Sequence, residues 1–184
     1  MKKILIVSGH PDLENSTANR IIIENLSKKL PEATIHRLDK IIENGNFNIE
    51  KEQTLLLEYD TYIFVSPFYW YSWSALMKKW VDEVFTHGFA HGSTGKKVQG
   101  KNILLSFTTG APFEEYKHEG SMRHTVEEFL YPVEGLAHLC GMNALPTVYS
   151  NDMTFIPTVH DDNRLKEIQK KAEKHANRIV ELVK

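Results

Sequence analysis

The sequence predicts a single α/β domain in which five parallel strands, ordered 2-1-3-4-5, carry helices on both faces. Three observations predict it. Short runs of β-branched and aromatic residues, such as 4–7, 62–66 and 103–107, are apolar throughout and lack in-and-out alternation. Strands of that kind are buried on both sides, as in a parallel sheet. Stretches with apolar residues at helical spacing lie between the runs. Finally, 184 residues suffice for one substantial core, and no internal repeat, low-complexity run or linker divides them.

The first strand, 4–7, runs into a loop, 8–15, that holds Gly9, Pro11 and Asn15. Ser16 or Thr17 caps a helix by accepting from a free N–H, and Ile21, Ile22, Leu26 and Leu30 fall on one side of it. Pro31 ends that helix, because it disfavours helical backbone at the residue before it. A short second strand, 34–38, is followed by a polar loop around Gly45 and a short helix reaching Glu58. The third strand, 62–66, stops at Pro67, which cannot donate to a ladder. Ser72 or Ser74 caps the next helix, where Ala75, Leu76, Trp80, Val81, Val84 and Phe85 recur at helical spacing. Residues 87–100 carry four glycines and read as a loop. The fourth strand is 102–108 and a second long loop covers 109–120. Residues 122–140 are mostly helix, which Pro132 must kink or restart. The last strand is 145–149, with Pro146 near its start. A terminal helix spans 164–183, with Leu165, Ile168, Ala172, Ala176, Ile179 and Leu182 near one stripe.

Composition narrows the function classes. A hydrophobic share of 41% and a charged share of 25% suit a soluble globular protein, and a net charge of −2 implies no general attraction to nucleic acid or anionic membrane. The apolar run at 4–7 is too short for a secretory leader, and no stretch approaches a membrane span. The lone Cys140 excludes an internal disulfide and fits a reducing compartment, so a cytoplasmic protein is expected. Set among Leu136, Leu139 and Met142, Cys140 reads as a core residue rather than a nucleophile.

In an open parallel sheet, ligands bind at the carboxyl ends of the strands. Three loops leave those ends. The first holds His10, Ser16, Thr17 and Asn19 at a helix start, where hydroxyls and free N–H groups suit a phosphate; the plainer reading is that Ser16 and Thr17 only cap the helix. Neither a G-x-G-x-x-G fingerprint nor a P-loop is present. The second loop packs five aromatics into six positions: Phe68, Tyr69, Trp70, Tyr71 and Trp73. They suit a flat apolar ligand, and equally the packing of a core or a subunit interface. The third holds Thr108, Thr109 and Gly110, continuing to Tyr116, His118, Arg123 and His124. Hydroxyls, a glycine that admits close backbone approach, and groups able to hold charge or pass a proton meet there. Together the three loops point to a flavin mononucleotide moiety. A metal is disfavoured: His87 and His91 are four apart, but Gly88 and Gly92 disrupt a helix there, and no H-E-x-x-H or second cysteine is present.

These residues also carry a family resemblance. Gly9-His10-Pro11 with Ser16-Thr17-Ala18-Asn19, the long run from Pro67 to Ala90, Thr108-Thr109-Gly110 and Cys140-Gly141-Met142 resemble the flavodoxin-like NAD(P)H quinone oxidoreductases. The chain is similar above all to the small bacterial branch. That branch includes general-stress quinone reductases and the ancillary subunit of glutathione-gated potassium efflux systems. The resemblance covers roughly residues 3 to 150. It implies a flavodoxin-like fold, a non-covalent flavin, a homodimer with the site at its interface, and ping-pong transfer of two electrons from NADPH or NADH to a quinone-like substrate. A membrane antiporter partner, with docking at the inner face of the membrane, stays open. Carried over by position, His10, Ser16, Ala18 and Asn19 hold the flavin phosphate. Pro67, Phe68, Tyr69, Trp70 and Tyr71 line the ring system, and Thr108, Thr109 and Gly110 cover its other polar edge. Tyr116, with a histidine, steadies negative charge on the reduced ring, where well-aimed donors lower the barrier.

The sequence departs from the family pattern in several places. Tyr69 stands where a glutamine is common. The usual partner histidine has no clean match: position counting lands on Arg123, with His124 beside it and His118 nearer Tyr116, so these three are alternatives for the second catalytic group. Two tyrosines that line the pocket in the mammalian enzymes fall on His91 and Ser93. The chain is shorter than those enzymes, with less to hold an adenine, which favours FMN over FAD.

Overall fold

A computed structural model describes residues 2–184. Strand β1 (Ile4–Ser8), helix α1 (Thr17–Lys29), strand β2 (Thr34–Arg37) and helices α2 (Leu38–Ile41) and α3 (Ile49–Leu57) come first. Strand β3 (Thr61–Pro67), helix α4 (Ala75–Val84), strand β4 (Asn102–Thr108) and helix α5 (Val126–Leu139) follow. Strands β5 (Asn143–Ala144) and β6 (Val148–Ser150) and helix α6 (Asp162–Val183) complete the chain. The sheet runs β2-β1-β3-β4-β5, all parallel, with β6 pairing to β4 beyond β5. This is the 2-1-3-4-5 order expected from the sequence, with the fifth strand in two pieces.

Strand residues alternate between two cores because successive side chains leave opposite faces of the sheet. Leu5, Val7, Tyr62, Phe64, Leu105 and Phe107 meet Met77, Trp80 and Val84 of α4 and Leu130 and Val133 of α5. Ile6, Ile63, Val65 and Leu104 meet Ile22 and Leu26 of α1 and Ile168, Ala172, Ala176 and Ile179 of α6. Both faces are covered, so the strands are apolar on each side and the sequence shows no alternation.

Three local expectations are corrected and one open choice is settled. Leu38, placed at the end of the second strand, instead opens the four-residue helix α2, where it is fully buried. Pro132 does not restart a helix: α5 runs through it, and the segment before Val126 stays outside because Thr125 and Glu128 form a capping box that fixes the start. The last strand is broken around Pro146, which cannot donate to β4, so β5 pairs with Asn102 and Ile103 and β6 with Ser106 to Thr108. Of the two candidate caps for α4, Ser74 does the work. Its hydroxyl accepts the Met77 N–H at 3.1 Å and donates to the Gly9 carbonyl, and its own N–H donates to Ser66 Oγ at 3.1 Å. The β3–α4 turn is thereby tied to the end of β1. Gly9 is required there, since a Cβ would lie 2.6 Å from Met77 Cβ.

Candidate functional site

The carboxyl ends of β1, β3 and β4 open onto one crevice of about 170 Å³, lined by His10, Ser16, Thr17, Ala18, Asn19, Pro67, Tyr69, Thr108, Thr109, Gly110, Met153, Thr154 and Phe155. Wider hollows elsewhere, such as that between Tyr149 and Glu181, are open and rimmed by charged side chains, and lie away from these loops.

At the α1 end, Ser16 Oγ accepts the Asn19 N–H at 3.3 Å, so Ser16 is the cap. The N–H groups of Thr17 and Ala18 have no acceptor among the described residues. Asn19 is 3% exposed; its amide donates to Thr108 Oγ1 at 3.1 Å, while Oδ1 has no partner. His10 Nδ1 accepts the Asp12 N–H at 3.1 Å, which puts the ring proton on Nε2, 3.4 Å from the Tyr69 hydroxyl. Burial lowers the His10 pKa, with the Asp12 hydrogen bond and charge opposing, so the ring is neutral. The cradle is therefore built from neutral donors in the positive field of a helix N-terminus. It can hold an anion without a lysine or arginine.

The aromatic segment divides its residues between two jobs. Phe68 is buried against Phe107, ring centroids 5.4 Å apart, and Trp73 against Phe64 at 6.3 Å, so these two pack the core. Tyr69, Trp70 and Tyr71 face outward, Trp70 at 91% exposure. Trp70 and Tyr71 have φ of +48° and +65°, and the Ser72 N–H returns to the Tyr69 carbonyl at 3.2 Å. Positive φ at both central positions is the signature of a type I′ turn, which two bulky residues adopt at a cost of about 1–3 kcal/mol each. The N–H groups of Trp70 and Tyr71 have no acceptor among the described residues. Tyr71 stacks on Phe129 of α5 at 4.6 Å and donates to Met122 Sδ at 3.2 Å. The turn is thus held in a strained form, with an exposed indole and free donors.

The third loop closes the crevice from the β4 side. Thr109 donates its N–H to the Ser150 carbonyl at 3.0 Å and its hydroxyl to the Ala111 carbonyl at 2.9 Å. Gly110 is needed for close packing, because a Cβ would lie 2.8 Å from Thr154 Oγ1. Tyr116 is 5% exposed, beneath Phe68 and Phe129. Burial raises its pKa and a side-chain hydrogen bond with Thr109 opposes, so the phenol stays protonated at neutral pH. None of the three candidates for its partner hydrogen-bonds to it among the described residues. His118 approaches the Arg123 carbonyl at 3.4 Å and Glu128 at 3.7 Å, and His124 approaches the Met122 carbonyl at 3.3 Å. Arg123 occupies a left-handed turn at φ +55°.

Residues 2–177 match a family defined by a flavodoxin-like fold. The chain belongs to the flavodoxin-like fold family. Relatives include the uncharacterized NAD(P)H oxidoreductase YrkL of Bacillus subtilis, 39% identical over 144 residues that make up 78% of this chain and 82% of that protein. The potassium-efflux ancillary protein KefG of Pectobacterium carotovorum is 37% identical over 77% of this chain and 76% of its own. Among solved flavodoxin-like structures, general stress protein 14 of Treponema denticola, in complex with FMN, superposes with a TM-score of 0.86 at 28% identity over 98% of this chain and 99% of that one. An NADPH-quinone reductase from P. pentosaceus superposes with a TM-score of 0.75 at 27% identity over 96% and 98%.

Sequence reasoning missed Met153, Thr154 and Phe155. The loop after β6 is a fourth strand end, and Met153 N–H donates to the Thr109 carbonyl at 2.9 Å while Asn151 Nδ2 donates to Thr109 Oγ1 at 3.0 Å. The signal was the topology itself: in the order 2-1-3-4-5 the loop after the last strand borders the loop after the fourth. Among the described residues no three His, Cys, Asp or Glu side chains converge as metal ligands, and no helix is long and apolar enough to cross a membrane.

Proposed function

We propose that this protein is a flavin-dependent NAD(P)H oxidoreductase that reduces quinones or related electrophiles by two electrons in a ping-pong cycle, with FMN in the crevice. The observation that carries the reading is the meeting, at one edge of the sheet, of unpaired donors suited to a phosphate and a strained, exposed aromatic turn. The free N–H groups of Thr17 and Ala18 fit the phosphate of such a group, and the orphaned Asn19 Oδ1, an acceptor, fits a hydroxyl donor on it. The names of the relatives, NAD(P)H oxidoreductase and NADPH-quinone reductase, and the FMN complex of general stress protein 14 support it.

When bound, a flavin supplies the redox chemistry, taking a hydride equivalent from NAD(P)H and passing two electrons on to the acceptor. The chain's residues do the rest. Thr17, Ala18, Ser16 and His10 Nε2–H bind the phosphate. Trp70 and Tyr71 cover the ring system and exclude water, with free N–H groups available to its polar atoms. Thr108, Thr109 and Gly110 line the opposite edge. Tyr116, kept protonated, donates where negative charge develops, with His118, Arg123 or His124 as the second group. The protein acts as a homodimer, a second copy covering exposed apolar side chains such as Trp70 and Tyr131, which are 91% and 66% exposed.

The test is anaerobic mixing of the flavin-loaded protein with NADPH and with NADH, followed by steady-state turnover with menadione. Bleaching by one donor and parallel-line kinetics support the reading; no bleaching by either sinks it. The likeness to KefG favours a second reading, an ancillary subunit docked on a potassium efflux antiporter from the cytoplasmic side. Capture of such an antiporter by the tagged chain, lost when Trp70 is replaced, would support that role.

A further inference from the structure

We propose that the loop 151–157 is the wall that selects the flavin: it admits one ending in a phosphate monoester and excludes one that continues through a diphosphate to adenosine. The inference rests on the flavin reading above and adds the residues that choose between flavins. Thr154 and Phe155 line the same small crevice as Ser16, Thr17 and Asn19. With a phosphate held at the α1 end, they would border it and obstruct a chain that continues beyond it.

The wall is fixed in place. Asp152, at φ +57°, is clamped by Arg164, with Nη2–Oδ1 at 2.6 Å and Nη1–Oδ2 at 3.0 Å, and by Lys171 at 2.6 Å. Such a two-pronged pair sets geometry as well as charge. The same guanidinium donates to the carbonyls of Asp152 at 3.0 Å and Thr154 at 3.2 Å. On the crevice side, the Asp152 and Met153 N–H groups donate to the carbonyls of Ala111 and Thr109, both at 2.9 Å. Beyond it, the Ile156 N–H donates to His160 Nδ1 at 2.8 Å, and the Phe155 ring lies 5.9 Å from the His160 ring. The loop cannot swing aside without breaking this set.

The cradle's chemistry agrees with the wall. A monoester phosphate presents three terminal oxygens and close to two charges at neutral pH. Unpaired N–H donors at Thr17 and Ala18, with Ser16 and a neutral His10, match those oxygens. A diphosphate offers fewer free oxygens at that position and needs an exit for its next bond, where Thr154 and Phe155 stand.

Calorimetric titration of the flavin-free full chain with riboflavin, FMN and FAD tests this. The wild type is expected to bind FMN more tightly than FAD by about tenfold or more. The double variant T154G/F155A, which leaves the Arg164 clamp intact, is expected to gain FAD affinity about tenfold with FMN affinity nearly unchanged. R164Q is expected to move the same ratio in the same direction. Equal affinity of the wild type for FMN and FAD, or an unchanged ratio in T154G/F155A, overturns the wall. Failure of all three flavins to bind the wild type overturns the flavin reading itself.

Discussion

His175 couples the packing of the site-bearing strands to pH. It lies fully buried on α6, with Nε2 2.8 Å from Ser106 Oγ of β4 and Nδ1 2.9 Å from Ser150 Oγ at the end of β6. Burial, helped by the charge of Arg178, holds its pKa down at about 3, against 6.5 in a solvated chain. The folded protein therefore keeps the ring neutral, while the unfolded chain takes up a proton as pH falls below 6.5. The stabilisation is complete above that value and is lost progressively down to about 3. One proton over the window from 6.5 to about pH 5 corresponds to about 2 kcal/mol. Urea unfolding at about pH 7, 6 and 5, on wild type and H175Q, measures it. H175Q removes the titration and keeps a donor and an acceptor, so the wild type should lose about 2 kcal/mol more than the variant over that range. Other histidines and the carboxylates act in both proteins and cancel. Parallel pH dependences for the two would refute the reasoning.

Other perturbations separate folding from binding. W70G should relieve left-handed strain and raise the unfolding midpoint, by about 1 kcal/mol of stability, yet retain less flavin on purification because the indole surface is gone; undiminished flavin content would count against the placement. Y116F should leave flavin bound while slowing its reduction by NAD(P)H, and an unaltered rate in stopped flow would remove Tyr116 from the mechanism. S74A deletes a helix cap and strands the Gly9 carbonyl, and should cost about 2–3 kcal/mol in chemical denaturation; a loss below about 0.5 would contradict its bridging role.

The fold was legible because the central strands β1, β3 and β4 are apolar on both sides and helices α1, α4 and α6 each carry one apolar stripe, so the alternation could be read directly. What escaped notice turned on local competition. Pro132 looked like a break, but the tertiary contacts of Leu130 and Val133 and the capping box at Thr125 hold α5 together. Pro146 looked like a tolerable strand residue, but the ladder to β4 skips it. Nothing in Tyr69-Trp70-Tyr71-Ser72 announces a type I′ turn, since the glycine or asparagine that such a turn favours is absent. The cradle of donors at the α1 end was visible in Ser16 and Asn19. Its fourth wall was not, because Met153, Thr154 and Phe155 carry no motif and reach the crevice only through the topology of the last strand. The grouping of Tyr116 with a histidine was read from the charge-holding residues of the third loop and from family position, and which of His118, Arg123 or His124 joins it is a matter for the kinetics of their variants.

The most direct test of the central claim is the visible spectrum of the purified protein, with the released cofactor identified by mass. A yellow protein that releases FMN is the expected result. A colourless protein that takes up neither FMN nor FAD on reconstitution would contradict it, and the aromatic turn would then be an interface rather than a flavin platform.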